Sequence, residues 1–482
     1  MTIRCKKLVY SAVIFLACFF TDTFYCHAQN KETKHLSVGR NNVLPNLVLI
    51  VADDLGYGDL GIQGSKQIPT PNIDQLAREG IVFTSGYASS SVCAPSRAGL
   101  LTGKHQAAFG FNDNLANNQS GFDKNYMGLP LTEPTLANKL KSLGYFTGLI
   151  GKWHLGTEPQ FNPTNRGFDE FWGFLGGGHD YFTAKPGRPE MESPIQCNYK
   201  TPDPVTYLTN DIGNESVDFI NRNKKHPFFL YAAFNAPHSP MQALEEDLKL
   251  FSHIKDELRR TYCAMVYRLD QNIGKILYAL KKQSLENNTL VVFISDNGGP
   301  CNSISNGSVN APLRGQKTTL LEGGIRVPIF FKWPARLKAG KKINDLVLTL
   351  DICPTFIEAA GGVVSEKDRF TGINILPYLT NKTDEIPHQM IEWIYTVGAA
   401  IREGDWKLIR LPDRLPMLYH LSEDISEQND VALKYPDRTR SLLKKLGQWE
   451  LHLPNSIFHE PADWQIRHLG YYDAPYQLVQ PE

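Results

Sequence analysis

Two pairs of oxygen-bearing side chains each follow an unbroken apolar run: Asp53-Asp54 after "NLVLIVA" and Asp296-Asn297 after "TLVVFIS". Adjacent carboxylates repel one another unless a cation or hydrogen-bond donors sit between them. Three carboxylates and an amide on two elements suit a hard, oxygen-loving ion such as Ca²⁺ or Mg²⁺. Zinc fits less well, because the chain has no HExxH and no paired-cysteine spacing. A cationic set accompanies the acids: Lys152 and His154 in "GKWHLG", His238 in "NAPHSP", and Arg314, Lys317 and Arg326 in "LRGQKTTLLEGGIRVP". A hard cation among convergent positive side chains is the equipment for a tetrahedral oxyanion ester, phosphate or sulfate, whose developing charge such groups stabilise. Glu322-Gly323-Gly324 with Arg326 reads mainly as a tight structural turn, and Cys353 in "DICPTFIEAAG" as a packed helix residue.

The elements that must carry these residues alternate short apolar runs with helical patterns, the mark of an α/β fold around a mostly parallel sheet flanked by helices. Strands are predicted over Asn46–Val51, Tyr145–Ile150, Pro227–Phe234, Leu290–Ser295 and Val327–Lys332. Helices are predicted in "TPNIDQLAREG" and "TEPTLANKLKSLG", where leucines and isoleucine recur at helical spacing and a glycine closes each. In open parallel sheets ligands bind beyond the carboxyl ends of the strands, where these polar clusters fall. The stretch from about 156 to 206, rich in glycine, proline and aromatics, reads as long loops over that end. Trp172, His179, Tyr181 and Arg188 within it are side chains able to stack on a ligand or grip an acidic one, with His179 the candidate substrate contact. After about Ile375 the texture becomes short strands with polar turns and then one helix, a smaller antiparallel sheet-plus-helix subdomain. The expected organisation is 1–28 leader, 29–43 flexible lead-in, 44–375 catalytic domain and 376–482 C-terminal subdomain.

The leader is an expectation of export, to the periplasm or outside the cell. Arg4, Lys6 and Lys7 precede an apolar run from Leu8 to Phe20, and Cys26-His27-Ala28 supplies small residues for cleavage after Ala28. The run falls short of the ~20 apolar residues of a membrane span, and no later segment reaches that length. A lipid-modified Cys18 ranks below simple cleavage. Formal charge is +0 and no dense basic run follows the leader, so a nucleic-acid footprint is absent. Cys93, Cys197, Cys263, Cys301 and Cys353 lie beyond the leader, an odd set that leaves at least one thiol unpaired or altered. Their disulfide pairing is open.

Cys93-Ala94-Pro95-Ser96-Arg97 with Leu101-Thr102-Gly103 resembles the signature C-x-P-S-R-x-x-x-L-T-G of the type I sulfatase family, without a departure. "GKWHLG", "SDNGG" and "GQKTTLLEGGIRVP" are similar to further motifs of that family in the expected order. The resemblance spans about Pro45 to Gly361, nearest the arylsulfatase and N-acetylgalactosamine-6-sulfatase branch, and the tail "AIREGDWKLI" to "SEQND" resembles the family's C-terminal subdomain. It implies an alkaline phosphatase-like fold and the conversion of Cys93 to formylglycine by a formylglycine-generating or anaerobic sulfatase-maturing enzyme. It also implies that Asp53, Asp54, Asp296 and Asn297 bind a divalent cation, most often Ca²⁺, with residue 93 completing the site. Arg97 would hold the hydrated aldehyde, and Lys152, His154, His238 and Lys317 would surround the sulfate. One hydroxyl of the hydrate would attack sulfur, with Asp296 as base, and the other would collapse to expel sulfate from a sulfoenzyme intermediate. His238 or Lys317 would protonate the departing oxygen, and His154 would accept the proton that triggers collapse.

The substrate class this implies is a sulfated carbohydrate, such as ulvan, carrageenan or a glycosaminoglycan. Two rivals stand beside it: a phosphodiesterase or phosphonate hydrolase on the same scaffold, and an exported carbohydrate-binding protein with a degenerate site.

Overall fold

The structure is a computed structural model describing residues 44–115, 121–182, 194–301, 306–396 and 398–474. The leader, the lead-in and Arg188 lie outside the described residues. Among the described residues eleven strands come first: β1 (Asn46–Ala52), β2 (Ile81–Phe83), β3 (Gly86–Tyr87), β4 (Phe146–Lys152), β5 (Glu170–Phe174), β6 (Gln196–Cys197), β7 (Phe228–Ala233), β8 (Thr289–Ser295), β9 (Ile329–Lys332), β10 (Lys341–Ile343) and β11 (Val347–Leu348). Four follow near the C-terminus: β12 (Met390–Tyr395), β13 (Gly398–Glu403), β14 (Trp406–Arg410) and β15 (Met417–His420).

Among the described residues a nine-stranded sheet runs β10-β2-β9-β8-β1-β7-β4-β5-β6. β1 is parallel to both neighbours, β7 and β8, and β4 is parallel to β7 and β5. The predicted strand ending at Lys332 forms, but β9 runs antiparallel to β8 and β2. The unbroken apolar run of β1 is explained by two cores, one on each face of the sheet. Leu47, Leu49 and Val51 join one, with Ala94, Ala98, Leu100 and Leu101 of helix Cys93–Thr102 and Leu136 and Leu140 of helix Leu136–Ser142. Val48, Ile50 and Ala52 join the other, with helices Pro71–Arg78, Leu208–Asn223 and Glu257–Lys282. Side chains of a strand alternate between faces, so a strand covered on both sides must be apolar throughout.

β12 to β15 form a separate antiparallel sheet in chain order. Ile391, Trp393, Tyr395 and Ile409 pack on Leu320, Leu321 and Ile325, while Ala399, Ile401, Leu408 and Leu418 meet Leu442 and Leu446 of helix Pro436–Glu450. A further helix, Ala462–Gly470, was not expected; among its residues His468 alone is buried, so it carries no apolar stripe to read.

The stretch read as long loops is corrected by two short strands, β5 and β6. It contains β5, which pairs with β4, and Trp172 is buried in that strand while Tyr181 is fully buried with its hydroxyl donating to the carbonyls of Asn235 and His238. Both are core residues and not a sugar platform. No helix among the described residues is long and apolar enough to cross a membrane.

Candidate active site

Parallel pairing puts the carboxyl ends of β8, β1, β7 and β4 side by side, because Ala52 stands opposite Ser295 and Val51 opposite Ala233, which in turn is opposite Gly151. The residues that follow therefore converge: Asp296 and Asn297 after β8, Asp53 and Asp54 after β1, His238 after β7, and Lys152 and His154 at the end of β4. Asp54 and His154 turn out of their strands with φ of 64° and 60°, the left-handed region that non-glycine residues enter at a cost.

Cys93 enters from the side as the first residue of helix Cys93–Thr102. Its Sγ is 3.4 Å from Asp53 Oδ1, 3.8 Å from Asp54 Oδ1 and 3.1 Å from Lys317 Nζ. Ligand atoms of Asp53, Asp54, Cys93 and Asp296 all lie within 4.8 Å of one another. Each carboxylate has a cation against it: Lys152 Nζ is 2.6 Å from Asp53, Lys317 Nζ 2.7 Å from Asp54, and Arg97 Nε 2.9 Å from Asp296. Arg97 Nη1 also donates to Lys152 O and to the Tyr231 hydroxyl.

The donor set fits a hard cation. Asn297 Nδ2 donates to Asp54 Oδ1 at 2.7 Å, while Asn297 Oδ1 is buried beside the carboxylates with no hydrogen-bond partner. A buried acceptor without a donor is costly. A cation coordinated by oxygens is what such an atom would complement.

Charge sets the protonation of the cluster. Burial alone would raise the Asp54 carboxyl, but Lys317, with His238 and Lys152, holds it well below the usual carboxylate range. Burial pushes Asp296 up to about 6 against the pull of Arg97. Burial likewise raises the Cys93 thiol far above its ordinary value, so as a thiol it is a neutral group and a poor nucleophile.

Both histidine tautomers follow from carbonyl partners, which can only accept. His154 Nε2 is 3.0 Å from Leu115 O and so carries the hydrogen, leaving Nδ1 as a buried acceptor without a partner. His238 Nδ1 is 2.7 Å from Ser239 O and carries the hydrogen, leaving Nε2 facing Asp54 at 3.6 Å.

Of the remaining sequence candidates, His179 is buried against Phe174, ring centroids 5.2 Å apart, with Nδ1 donating to Asp180 O at 2.6 Å. No contact joins it to the cluster among those described. Arg326 binds Thr84 O and Glu322, and Arg314 binds the carbonyls of Glu427 and Tyr472, so neither reaches the cluster. All five cysteines among the described residues are unpaired, so an odd count does not single out Cys93; its place does.

Ser96, known from the sequence only as part of the signature, supports the site, and so do two residues that the sequence did not single out, Tyr231 and Asn114. Ser96 Oγ donates to Asp296 O at 2.5 Å, the Tyr231 hydroxyl accepts from Arg97, and Asn114 Oδ1 accepts from Ala94 N in the first turn of the Cys93 helix. Tyr231, the polar-tipped residue in "FFLYAA", was a legible signal; Asn114 had none.

The sulfatase family matches residues 45–363, and the C-terminal family of N-sulphoglucosamine sulphohydrolase matches 316–450. The chain is similar to N-acetylgalactosamine-6-sulfatase of Homo sapiens, 36% identical over 70% of this chain and 66% of that protein, so it spans just under two thirds of that relative. Arylsulfatase J of Mus musculus is 32% identical over 84% of this chain and 75% of that protein. Among solved structures, Ps i-CgsB in complex with k-i-k-neocarrahexaose superposes with a TM-score of 0.81 at 38% identity, covering 89% of this chain and 99% of that one.

Proposed function

The chain belongs to the sulfatase family, a family of sulfuric ester hydrolases with an alkaline phosphatase-like fold, and on that premise we propose that it hydrolyses sulfate esters on a carbohydrate. The observation that carries the reading is the packing of Cys93 Sγ against Asp53, Asp54 and Lys317 inside a buried ring of cations. A sulfated galactan or a glycosaminoglycan oligosaccharide is the favoured substrate class. The similar Ps i-CgsB structure holds a neocarrahexaose, and the similar mammalian enzyme is an N-acetylgalactosamine-6-sulfatase. The leader supports export to the periplasm or the medium.

Asp53, Asp54, Asp296 and Asn297 would hold one divalent cation, Ca²⁺ by the all-oxygen donor set, which supplies Lewis acidity to the sulfate oxygens. Cys93 matured to formylglycine would supply the nucleophile, one hydroxyl of an aldehyde hydrate. Arg97, fixed by Asp296, Lys152 O and Tyr231, leaves Nη2 without a hydrogen bond for an oxygen at position 93. Lys152 and Lys317 neutralise the ester's charge from two sides. His238 is held neutral by burial, pushed down to about 3, so the proton for the departing oxygen would come from the Lys317 ammonium, the other donor at the cluster. His154 is held neutral by burial, so Nδ1 can take a proton.

The test is release of sulfate from defined sulfated oligosaccharides by the parent protein and by Cys93→Ala. The reading expects desulfation by the parent and at least about a thousandfold less by the variant. No desulfation of any sulfated carbohydrate, or full retention in Cys93→Ala, would refute it.

A further inference from the structure

Lys317 reaches the cluster from a loop, residues 314–321, and a loop has no ladder of its own to fix a long flexible side chain. One flank of this loop is tied to the strand end that bears Asn297. Lys317 N donates to Gly299 O at 3.2 Å, Gly298 N to Gly324 O at 3.0 Å, and Asn310 Nδ2 to both Gly299 O and Gly315 O. Thr318 then turns with φ of 76°, its N–H on Ser91 O.

The other flank is held by chain that comes much later in the sequence. The Arg314 guanidinium donates to Glu427 O at 2.7 Å and Tyr472 O at 2.8 Å. Leu320 N donates to the Tyr472 hydroxyl at 2.7 Å, and Glu322 N to Glu427 Oε2 at 2.6 Å. Lys407 Nζ bridges Glu322 at 2.9 Å and Glu427 at 2.8 Å, and all three side chains are fully buried.

This arrangement is expensive as a way to hold two parts of a protein together. A buried ion triad can often be replaced by apolar side chains with no loss of stability. Glu427 also adopts φ of 49°, a conformation a glutamate enters only when its surroundings impose it. That turn sends its carbonyl to Arg314 and its carboxylate to the backbone of Glu322, one on each side of Lys317 in sequence.

We infer that Glu427 and Tyr472 are positioning residues for Lys317: the C-terminal part of the chain fixes the loop so that the ammonium meets Asp54 and residue 93. This rests on the sulfatase reading, in which Lys317 contacts the ester. The catalytic cluster is therefore incomplete without segments near residues 407, 427 and 472.

The test is a double-mutant cycle on the full-length, matured protein with 4-nitrophenyl sulfate. Tyr472→Phe removes the acceptor for Leu320 N and keeps the ring. It should lower kcat by about tenfold with KM within about twofold, and in a Lys317→Ala background the same change should be worth less than about twofold. Binding of inorganic sulfate by calorimetry gives the same cycle without turnover. Glu427→Gln, which keeps an acceptor for Glu322 N, should retain more activity than Glu427→Ala. Equal fold losses with and without Lys317, or an unchanged kcat in Tyr472→Phe and Glu427→Ala alike, would overturn the inference. Absence of sulfatase activity in the parent protein would instead count against the functional reading.

Discussion

At the scale of single residues, Asn297 Oδ1 and Arg97 Nη2 carry much of the case, because each is a buried polar atom without a hydrogen bond. The first calls for a cation; the second stands 3.7 Å from Asp53 Oδ1, with hydrogen-bonding capacity to spare for an oxygen on residue 93. Removing divalent ions with a chelator should abolish sulfate release, and added Ca²⁺ should restore it. Asn297→Ala should raise the Ca²⁺ concentration for half-maximal activity by about 10–100-fold, read from titration of the metal-free protein. Arg97→Lys should lower kcat by on the order of a hundredfold, since a lysine cannot satisfy Asp296 and residue 93 from one planar fork. Asn297 was legible because it stood with an acid at a predicted strand end, and Arg97 through the signature that begins at Cys93. Trp172 and Tyr181 were misjudged because an aromatic in a glycine-rich stretch looks the same whether it faces solvent or a sheet. The structure resolves them through β5 and through the Tyr181 hydrogen bonds.

At the scale of elements, the helix that presents Cys93 is buried along its whole length and ends at Gly103, φ 67°, whose N–H returns to Gly99 O. A Cβ there would lie 2.8 Å from Phe370 and 2.9 Å from Cys353. Gly103→Ala should therefore destabilise the fold by about 1–3 kcal/mol from backbone strain, with overlap adding to it, and lower the melting temperature measured by calorimetry. Strands β1, β7 and β8 were readable because a strand covered on both faces leaves a nearly unbroken apolar run. The antiparallel direction of β9 was not, since direction is set by which connection crosses the sheet and leaves no local pattern. Nor could spacing reveal that Glu427 and Tyr472 clasp the Lys317 loop, because those contacts join residues more than a hundred positions apart.

At the scale of the whole molecule, the segment after the second sheet folds back on the catalytic face. Glu460 accepts from Asn114 N and the Tyr395 hydroxyl and stands near His468, Asp113 and Lys317. Burial pushes its carboxyl from the ordinary 4.5 up to about 7. The folded chain thus holds a proton there that the unfolded chain releases. Its contribution to stability is fully present below the unfolded value and is lost as pH rises through about 7. Glu460→Gln, neutral at every pH, should gain melting temperature relative to the parent as pH is raised from about 4.5 to 7, with the difference level above that. A difference that shrinks over this window would contradict the assignment. The central claim, a sulfate ester hydrolysed at residue 93, is tested most directly by comparing 4-nitrophenyl sulfate with bis(4-nitrophenyl) phosphate on the matured protein and on Cys93→Ala. The account predicts that the sulfate ester is strongly preferred and that its turnover disappears in Cys93→Ala. A large preference for the phosphate diester, or undiminished sulfate turnover in the variant, would contradict it.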